Sequence, residues 1–213
     1  MQILPGVLAY TEAEFKQHLL FPDFRGVAPM FHIDVLDGTM FNAKCWAEAK
    51  VIGDWKNLPD IELHCMVEDP VAVADDWHLH VPTLKRVIFH AEIHSPLPTV
   101  IKRLRALPVE IVVAVNPLTP VDLLKGLEID GLMIMGVEPG KSGQPFLGDA
   151  ITAKVKRAKA LFPQLTIAVD GGVTAQNIGS LKAAGADRCV ASSAIWGDPH
   201  PLEAYHALHS RVD

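Results

Sequence analysis

The chain has 213 residues, of which 49% are hydrophobic and 21% charged, and its 25 acidic and 19 basic side chains give a formal net charge of −6. Disorder is typical of less hydrophobic chains, and a membrane span needs about 18 consecutive apolar residues, so the composition indicates one globular domain over residues 1–213. The acidic balance and the absence of a Lys/Arg cluster argue against nucleic-acid binding.

Short apolar runs alternate with longer segments of helical periodicity along the whole chain, a rhythm typical of repeated βα units. A helix is expected after each run. Eight runs are predicted as strands: residues 3–8, 31–36, 61–67, 86–90, 111–115, 131–135, 166–170 and 188–191.

Helix start and stop signals support this assignment. Thr11 and Glu14 form a predicted capping box, and Thr174 is a candidate cap for a helix that runs to Ala184 and ends at Gly185. Three further pairs place a capping side chain before a proline at the first helical position: Asp69-Pro70, Ser95-Pro96 and Thr119-Pro120.

Eight βα units in a chain of this length predict a single-domain (β/α)₈ TIM barrel of the α/β class. Parallel strands that are buried on both faces need covering helices, and closing the sheet removes both of its edges. An open, doubly wound sheet is the alternative. In a barrel, we expect the chemistry at the C-terminal ends of the strands.

Two histidines and two aspartates near predicted strand ends form the first candidate site. His32 and Asp34 point to the same side of the second strand, His64 lies on the third strand, and Asp170 ends the seventh. Such a donor set suits Zn²⁺, Fe²⁺, Mn²⁺ or Co²⁺. A lone histidine at a strand end is more often a hydrogen-bonded structural residue than a ligand. Unpaired buried carboxylates are unfavourable, however, so the four residues together favour a metal ion.

Small-residue turns after the last three predicted strands form a second candidate site. They comprise residues 138–144, Gly171-Gly172 and Ser192-Ser193. Glycine allows backbone N–H groups to approach an anion, and the loops after strands seven and eight of barrels commonly bind phosphate. Each turn alone is a weak signal, but the three together favour phosphate. A metal ion beside a phosphate pocket predicts a small sugar phosphate as the ligand.

Seven segments carry a more specific signal. They are His-Ile-Asp-Val-Leu-Asp-Gly (32–38), Leu-His-Cys-Met-Val (63–67), Phe-His-Ala-Glu (89–92), Val-Asn-Pro-Leu-Thr-Pro (115–120), Met-Gly-Val-Glu-Pro-Gly-Lys-Ser-Gly-Gln (135–144), Val-Asp-Gly-Gly-Val (169–173) and Ala-Ser-Ser-Ala-Ile-Trp (191–196). In this order they resemble the motifs of the ribulose-phosphate 3-epimerase family. The resemblance spans nearly the whole chain and implies a barrel of the ribulose-phosphate-binding type.

The resemblance implies an isomerase of the pentose phosphate pathway that interconverts D-ribulose 5-phosphate and D-xylulose 5-phosphate. By this resemblance, His32, Asp34, His64 and Asp170 hold one divalent metal ion, and the two aspartates are also the catalytic acid/base pair. One aspartate removes the proton at C3, and the other returns a proton to the opposite face. The metal ion stabilises the enediolate that forms between these steps.

The resemblance also implies the residues that contact substrate. His64 is placed beside the substrate, and Met66 and Met135 match methionines that pack around the intermediate, although simple filling of the barrel explains them equally well. Three positions match family motifs without an assigned role: His90, Glu92 and Asn116. The phosphate is expected at the three turns, on Gly140, Lys141, Ser142, Gly143, Gly171, Gly172, Ser192 and Ser193.

Several positions depart from the family pattern. Gly6 stands where the family usually has a substrate-contacting serine, which removes a hydrogen-bond donor, and Ser192 stands where it has a phosphate-facing glycine. The loop 38–42 is slightly short, and Glu138 and Lys141 replace an asparagine and an aromatic residue. These changes keep two other hypotheses open. One is an epimerase of another phosphorylated sugar, such as allulose 6-phosphate, and the other is a non-catalytic sugar-phosphate-binding barrel.

The number and spacing of the cysteines indicate in which cellular compartment the protein is expected. Cys45, Cys65 and Cys189 are odd in number and widely spaced, which favours buried reduced thiols over disulfides or a zinc cluster. The first residues lack the pattern of a secretory signal. We expect a cytoplasmic protein whose partner is a phosphorylated ketose, with neither nucleic acid nor membrane as a partner. Because the family is often oligomeric, a homo-oligomer is also an expectation.

Overall fold

The computed structural model describes residues 1–140 and 143–212. Eight parallel strands form a closed barrel in which each strand pairs with the next along the chain and the last pairs with the first. The predicted (β/α)₈ barrel is confirmed. The strands are β1 (Gln2–Val7), β2 (Phe31–Leu36), β3 (Ile61–Met66), β4 (Leu84–His90), β5 (Glu110–Val115), β6 (Gly131–Met135), β7 (Thr166–Asp170) and β8 (Arg188–Ala191).

The helices of the described residues lie outside the barrel. After β5 the chain forms only a 3₁₀ turn, Val121–Leu124, so the prediction of a helix after every strand is wrong there. Pro120 and Gly126, whose φ is +80°, bracket a segment too short for two α-helical turns. The α-helices are α1 (Glu12–Leu19), α2 (Ala49–Gly53), α3 (Pro70–His80), α4 (Leu97–Leu104), α5 (Asp149–Leu161), α6 (Ile178–Ala184), α7 (Ser193–Trp196) and α8 (Pro201–His209).

Two predicted helix starts and one helix end are confirmed. The Thr11 hydroxyl accepts a hydrogen bond from the Glu14 N–H at 3.2 Å. Asp69 accepts one from the N–H of Ala72 at 3.1 Å at the start of α3. Gly185 ends α6 with a φ of +103°, a left-handed conformation that glycine adopts without strain.

Three predicted caps are wrong. Helix α4 starts at Leu97, so Pro96 rather than Ser95 holds the cap position, and the turn after Thr119 likewise follows Pro120. Pro96 and Pro120 have no backbone N–H, and neither Ser95 nor Thr119 caps the segment that follows it. Thr174 lies in a turn before α6, and its N–H donates a hydrogen bond to the Asn177 side chain at 2.9 Å. Helix α6 therefore begins at Ile178, with Asn177 rather than Thr174 at the cap position.

Alternation along the strands separates two apolar layers. Side chains such as those of Ile33, Leu63 and Val169 are fully buried between the barrel and the helices. A smaller apolar cluster fills the barrel interior: Ile88, Val112, Ala114, Met133, Met135, Ala168 and Val190. Histidines and charged groups occupy other interior positions, and the candidate site is built from them.

The three cysteines are free thiols, in line with the prediction of reduced cysteines. Cys65 and Cys189 are buried, and Cys45 is half-buried. Burial raises the pKa of Cys45 to about 11 and that of Cys189 to about 12, so both stay protonated and unreactive near neutral pH. Within residues 1–140 and 143–212, every helix is too short or too polar to cross a bilayer.

Candidate active site

Four side chains from three strands meet at the carboxyl end of the barrel. Nε2 of His32 lies 3.2 Å from Oδ1 of Asp34 and 3.9 Å from Oδ2 of Asp170. Nδ1 of His64 lies 3.0 Å from Asp34 and 3.6 Å from Asp170. One donor atom of each residue lies within 4.8 Å of the other three. The residues for which the sequence predicts one shared cation are therefore neighbours in space.

This donor set fits a divalent cation. Both imidazoles are fully buried, and the side chains of Asp34 and Asp170 are only 11% and 14% exposed. Two carboxylates held close together in a water-poor site repel each other, and a cation between them offsets both this repulsion and the loss of hydration. Mixed nitrogen and oxygen ligands suit first-row ions such as Zn²⁺, Fe²⁺, Mn²⁺ and Co²⁺.

The charges of these groups depend on one another. Burial acts to lower the pKa of His32. The hydrogen bond and charge of Asp34, the hydrogen bond of Glu62 and the charge of Asp170 together outweigh burial and raise this pKa well above its usual value. Burial acts to raise the pKa of Asp34, but its bonds to His32 and His64 bring it well below its usual value. For Asp170, burial and the nearby Asp34 carboxylate raise the pKa. The two aspartates therefore differ in acidity.

Glu62 holds His32 from inside the barrel. Its Oε1 accepts a hydrogen bond from Nδ1 of His32 at 2.6 Å, which leaves Nε2 directed towards the aspartates. Its other oxygen pairs with Arg86, and a nitrogen of Arg188 lies 3.8 Å away. Burial acts to raise the pKa of Glu62, but His32 and the two arginines lower it to about 2. A charged Glu62 thus fixes the ring orientation of His32.

A second set of contacts supports His64. Its Nε2 lies 2.9 Å from Nε2 of His90, and Nδ1 of His90 lies 3.3 Å from Oε2 of Glu92. The other oxygen of Glu92 accepts a hydrogen bond from the N–H of Asn116 at 2.8 Å. If Nδ1 of His64 offers its lone pair to a cation, its proton is on Nε2 and is donated to His90, which donates to Glu92. His90, Glu92 and Asn116, which match family motifs without an assigned role, thus form one chain of contacts behind His64.

Sequence reasoning did not single out Glu62 and Arg86. Glu62 precedes His64 by two residues on β3, so both side chains point into the barrel, and the strand register pairs Glu62 with Arg86 on β4. A charged residue inside an otherwise apolar strand was the signal that was available.

A cleft lies over the cluster, and its empty space, measured out to open solvent, is about 530 Å³. His32 and His64 lie behind its wall and are fully buried. Lys141 and Ser142 fall outside the described residues. Gln144, the last residue of the predicted turn 138–144, also lines the cleft, although the sequence predicts no phosphate contact for it. The predicted residues in the wall are Asp34, Met66, Met135, Gly140, Gly143, Asp170, Gly171, Gly172, Ser192 and Ser193.

The turn after β7 packs directly on the loop after β6. Gly171 and Gly172 have φ values of +100° and +67°. A Cβ at Gly171 would lie 2.5 Å from Cγ2 of Val137, and one at Gly172 would lie 2.7 Å from the backbone N of Phe146. Both the conformation and the close packing therefore require glycine at these two positions.

Glu138 lies outside the cleft. Its side chain is exposed, and it lines a neighbouring surface depression together with Phe41 and Asn42. The repulsion of an anion that would follow from an inward-pointing Glu138 therefore does not arise in this arrangement.

Comparisons with known proteins place the chain in a family. Residues 2–196 match the model of the ribulose-phosphate 3-epimerase family. A ribulose-phosphate 3-epimerase of Methanocaldococcus jannaschii is 30% identical over 92% of this chain and 85% of its own length. One of Mycobacterium leprae is 32% identical over 99% of this chain and 94% of its own.

A solved structure supports the fold alone. The 3-hexulose-6-phosphate synthase of Salmonella typhimurium superimposes with a TM-score of 0.69 at 16% identity, over 100% of this chain and 98% of that one. Family membership rests on the sequence matches. The chain belongs to the ribulose-phosphate 3-epimerase family and is an epimerase that acts on a carbohydrate phosphate.

Proposed function

We propose that this protein is a metal-dependent 3-epimerase of a ketose phosphate, with D-ribulose 5-phosphate and D-xylulose 5-phosphate as its substrate pair. The observation that carries the proposal is the cluster of two imidazoles and two carboxylates within 4.8 Å beside a cleft walled by small-residue turns. Relatives named ribulose-phosphate 3-epimerase support the choice of substrate.

His32, Asp34, His64 and Asp170 would hold one divalent ion, either zinc, iron, manganese or cobalt. When bound, such an ion supplies positive charge near substrate oxygens on which negative charge develops. Glu62 and His90 orient the two imidazoles for this role, because each occupies the ring nitrogen that faces away from the aspartates.

The two aspartates perform the proton transfer. Asp34 comes from β2 and Asp170 from β7, so they approach a substrate from different sides of the mouth. One carboxylate takes the proton from C3, and the carboxylic acid on the other side delivers a proton to the opposite face. Their roles exchange in the reverse reaction. Met66 and Met135 line the same cleft and keep the enediolate intermediate away from water.

The phosphate group would lie at the small-residue turns. Backbone N–H groups of glycine-rich turns can approach an anion closely, since no side chain intervenes. For Lys141 and Ser142, which lie outside the described residues, contact with the phosphate group is proposed from the sequence alone. In the described residues the group would meet Gly140, Gly143, Gly171, Gly172, Ser192 and Ser193.

Solvent-exchange NMR tests the proposal. Metal-loaded protein is incubated in D₂O with a panel of ketose phosphates that includes ribulose 5-phosphate and allulose 6-phosphate. We expect deuterium at C3, inversion at that carbon, the highest kcat/KM for the pentulose phosphate, and loss of activity after chelation. A higher kcat/KM for the hexulose phosphate would support the other-sugar alternative, and no exchange with any substrate would support a non-catalytic barrel.

A homo-oligomeric state and a cytoplasmic location are also proposed, the first from the family resemblance and the second from the free thiols. Light scattering of the purified protein and fractionation of the source cells test them.

A further inference from the structure

Polar side chains form the floor of the barrel, at the end opposite the candidate active site. Arg188 precedes Val190 by two residues on β8, and Val190 fills the barrel interior, so Arg188 points into the barrel one layer below it. Arg188 is only 7% exposed. The polar residues near the starts of the strands are Gln2, Glu62, Arg86, Glu110, Thr166 and Arg188.

One of the two arginines in this floor is fully paired. Nε of Arg86 donates a hydrogen bond to Oε2 of Glu110 at 2.7 Å, and Nη2 of Arg86 lies 2.6 Å from the same oxygen. Its Nη1 donates to Oε2 of Glu62. Each guanidinium nitrogen of Arg86 therefore has a carboxylate partner.

The other arginine has no such partner. Nε of Arg188 donates a hydrogen bond at 3.1 Å to Oε1 of Gln2, which is a neutral amide. Oε2 of Glu62 is 3.8 Å from Nη1 of Arg188, and Glu62 already binds His32 and Arg86. Within residues 1–140 and 143–212, neither Nη atom of Arg188 forms a hydrogen bond. Burial lowers the pKa of Arg188, as expected for a buried cation without a close counter-charge.

A surface depression opens onto Arg188 from outside the barrel. Its volume of about 420 Å³ falls in the range of small-molecule sites. Lys159 contributes a second positive charge to its wall. The wall also carries neutral hydrogen-bond donors, namely the side chains of Gln2, Gln164 and Thr166. The depression therefore combines an incompletely paired guanidinium with several groups that can bind oxygen atoms.

One carboxylate, Asp187, also lines the depression and would repel an anion if its charge were not offset. Its Oδ2 accepts a hydrogen bond from Nζ of Lys159 at 2.8 Å and another from the N–H of Ile167 at 2.9 Å. Asp187 and Lys159 thus offset each other, and Arg188 leaves the wall with a net positive charge.

We propose that Arg188 and this depression bind a small oxyanion of the phosphate class, either inorganic phosphate or the phosphate group of a small ester. The two Nη atoms suit two oxygens of such an anion, and the side chains of Gln164 and Thr166 suit the others. A carboxylate has only two oxygens and would leave these neutral donors unused. The full length of β8 separates Arg188 from Ser192, so this anion site is distinct from the phosphate turns at the catalytic end.

An NMR titration with inorganic phosphate at constant ionic strength tests the site. In ¹⁵N-labelled protein, the Nε–Hε signal of Arg188, identified by its loss in Arg188→Lys, should shift and reach saturation. The signal of Arg86 should stay in place, because the nitrogens of Arg86 are already paired. The backbone amide of Gly171 reports separately on the catalytic end. A shift at Gly171 without one at Arg188 overturns this inference and leaves the proposed function standing.

Parallel titrations with glycerol 1-phosphate and acetate identify the class of anion. A saturable shift of the Arg188 signal with phosphate or with the ester supports the proposal, and the tighter of the two is the preferred source. A tighter response to acetate than to either overturns the assignment to the phosphate class. No response to phosphate or to the ester overturns the site.

A charge variant tests whether the guanidinium holds the anion. Gln2→Glu places a carboxylate beside Nε of Arg188 and should weaken phosphate binding there at least about tenfold, with the response of Gly171 unchanged. Gln17→Glu, at an exposed position on α1, makes the same change of charge and is the matched control, which should bind phosphate as the wild type does. Equal phosphate affinity at Arg188 in the two variants would contradict the proposal.

Discussion

The Nε2 atoms of His64 and His90 lie 2.9 Å apart, between rings that stack with centroids 5.0 Å apart. A hydrogen bond needs one donor and one acceptor, so only one of these nitrogens carries a proton when both rings are neutral. For Nδ1 of His64 to offer its lone pair to a cation beside the aspartates, that proton must lie on Nε2 of His64, and His90 must donate from its far nitrogen to Glu92.

Replacing His90 should therefore weaken metal binding. His90→Leu removes the acceptor that orients His64, and we expect the affinity for Co²⁺ to fall about 10- to 100-fold. Competition with a chelating dye measures this affinity without turnover. His90→Gln is the matched control, because its side-chain oxygen can still accept from His64, and it should lie nearer the wild type. Unchanged Co²⁺ affinity in His90→Leu would show that His90 does not orient His64 for metal binding.

The two aspartates should be separable by isotope exchange. In Asp34→Asn, the remaining Asp170 can take a proton and return it to the same face, so C3 of one epimer exchanges with solvent without inversion. Asp170→Asn should do the same with the other epimer. Epimerisation should fall at least about 100-fold in both. NMR measures exchange and a coupled assay measures inversion.

Metal analysis of both aspartate variants is the necessary control, because each aspartate is also a proposed metal ligand. Fully loaded variants that still invert C3 at the wild-type rate would contradict the two-aspartate mechanism.

Acid should destabilise the fold in part through Glu62. The pKa of Glu62 is lowered from 4.5 to about 2 in the folded chain, so the stability that its charge contributes is present above pH 4.5 and is lost as the pH falls towards 2. In Glu62→Gln, the unfolding free energy should fall less steeply across this range. Urea titrations at several pH values measure the slope. Equal slopes for the two proteins would show that Glu62 does not carry this dependence.

At neutral pH, Glu62→Gln should lower the unfolding free energy by about 3 kcal/mol, because the buried Arg86 loses a charged partner. Glu110→Gln is the matched control. Glu110 also pairs with Arg86, but its side chain is 57% exposed, so its loss should be worth less than about 1 kcal/mol.

The turn after β7 should not tolerate a methyl group. Gly172→Ala combines a φ of +67° with a contact of 2.7 Å to the backbone of Phe146, and should lower the unfolding free energy by about 1–3 kcal/mol. Gly179→Ala is the matched control, because a Cβ there meets nothing within 4 Å, and it should be neutral or stabilising. Urea denaturation compares the two. Similar stabilities would contradict the packing described for this turn.

The strands could be predicted from the sequence because burial on both faces leaves a short, largely apolar run. For β2, β6, β7 and β8 the predicted bounds coincide with the observed ones. The helices were predicted less well, since prolines shifted the start of α4 and replaced an α-helix after β5 with a single 3₁₀ turn.

The part of the site that could be predicted consists of polar side chains near strand ends. His32, Asp34, His64 and Asp170 are polar residues in apolar strands, and a shared barrel mouth brings them together. Contacts that depend on register between strands, such as that of Glu62 with Arg86, are not visible in the sequence.

Closure of the barrel also has a consequence for folding while the chain is being synthesised. The strand that completes the sheet beside β1 is β8, and the Trp196 indole that binds the Gly6 carbonyl is 190 residues away along the chain. Until that segment has left the ribosome, β1 keeps one open edge that can pair with other chains. Newly made copies are therefore expected to need protection from one another until translation is nearly finished, and their catalytic pocket stays incomplete until β8 has joined the barrel.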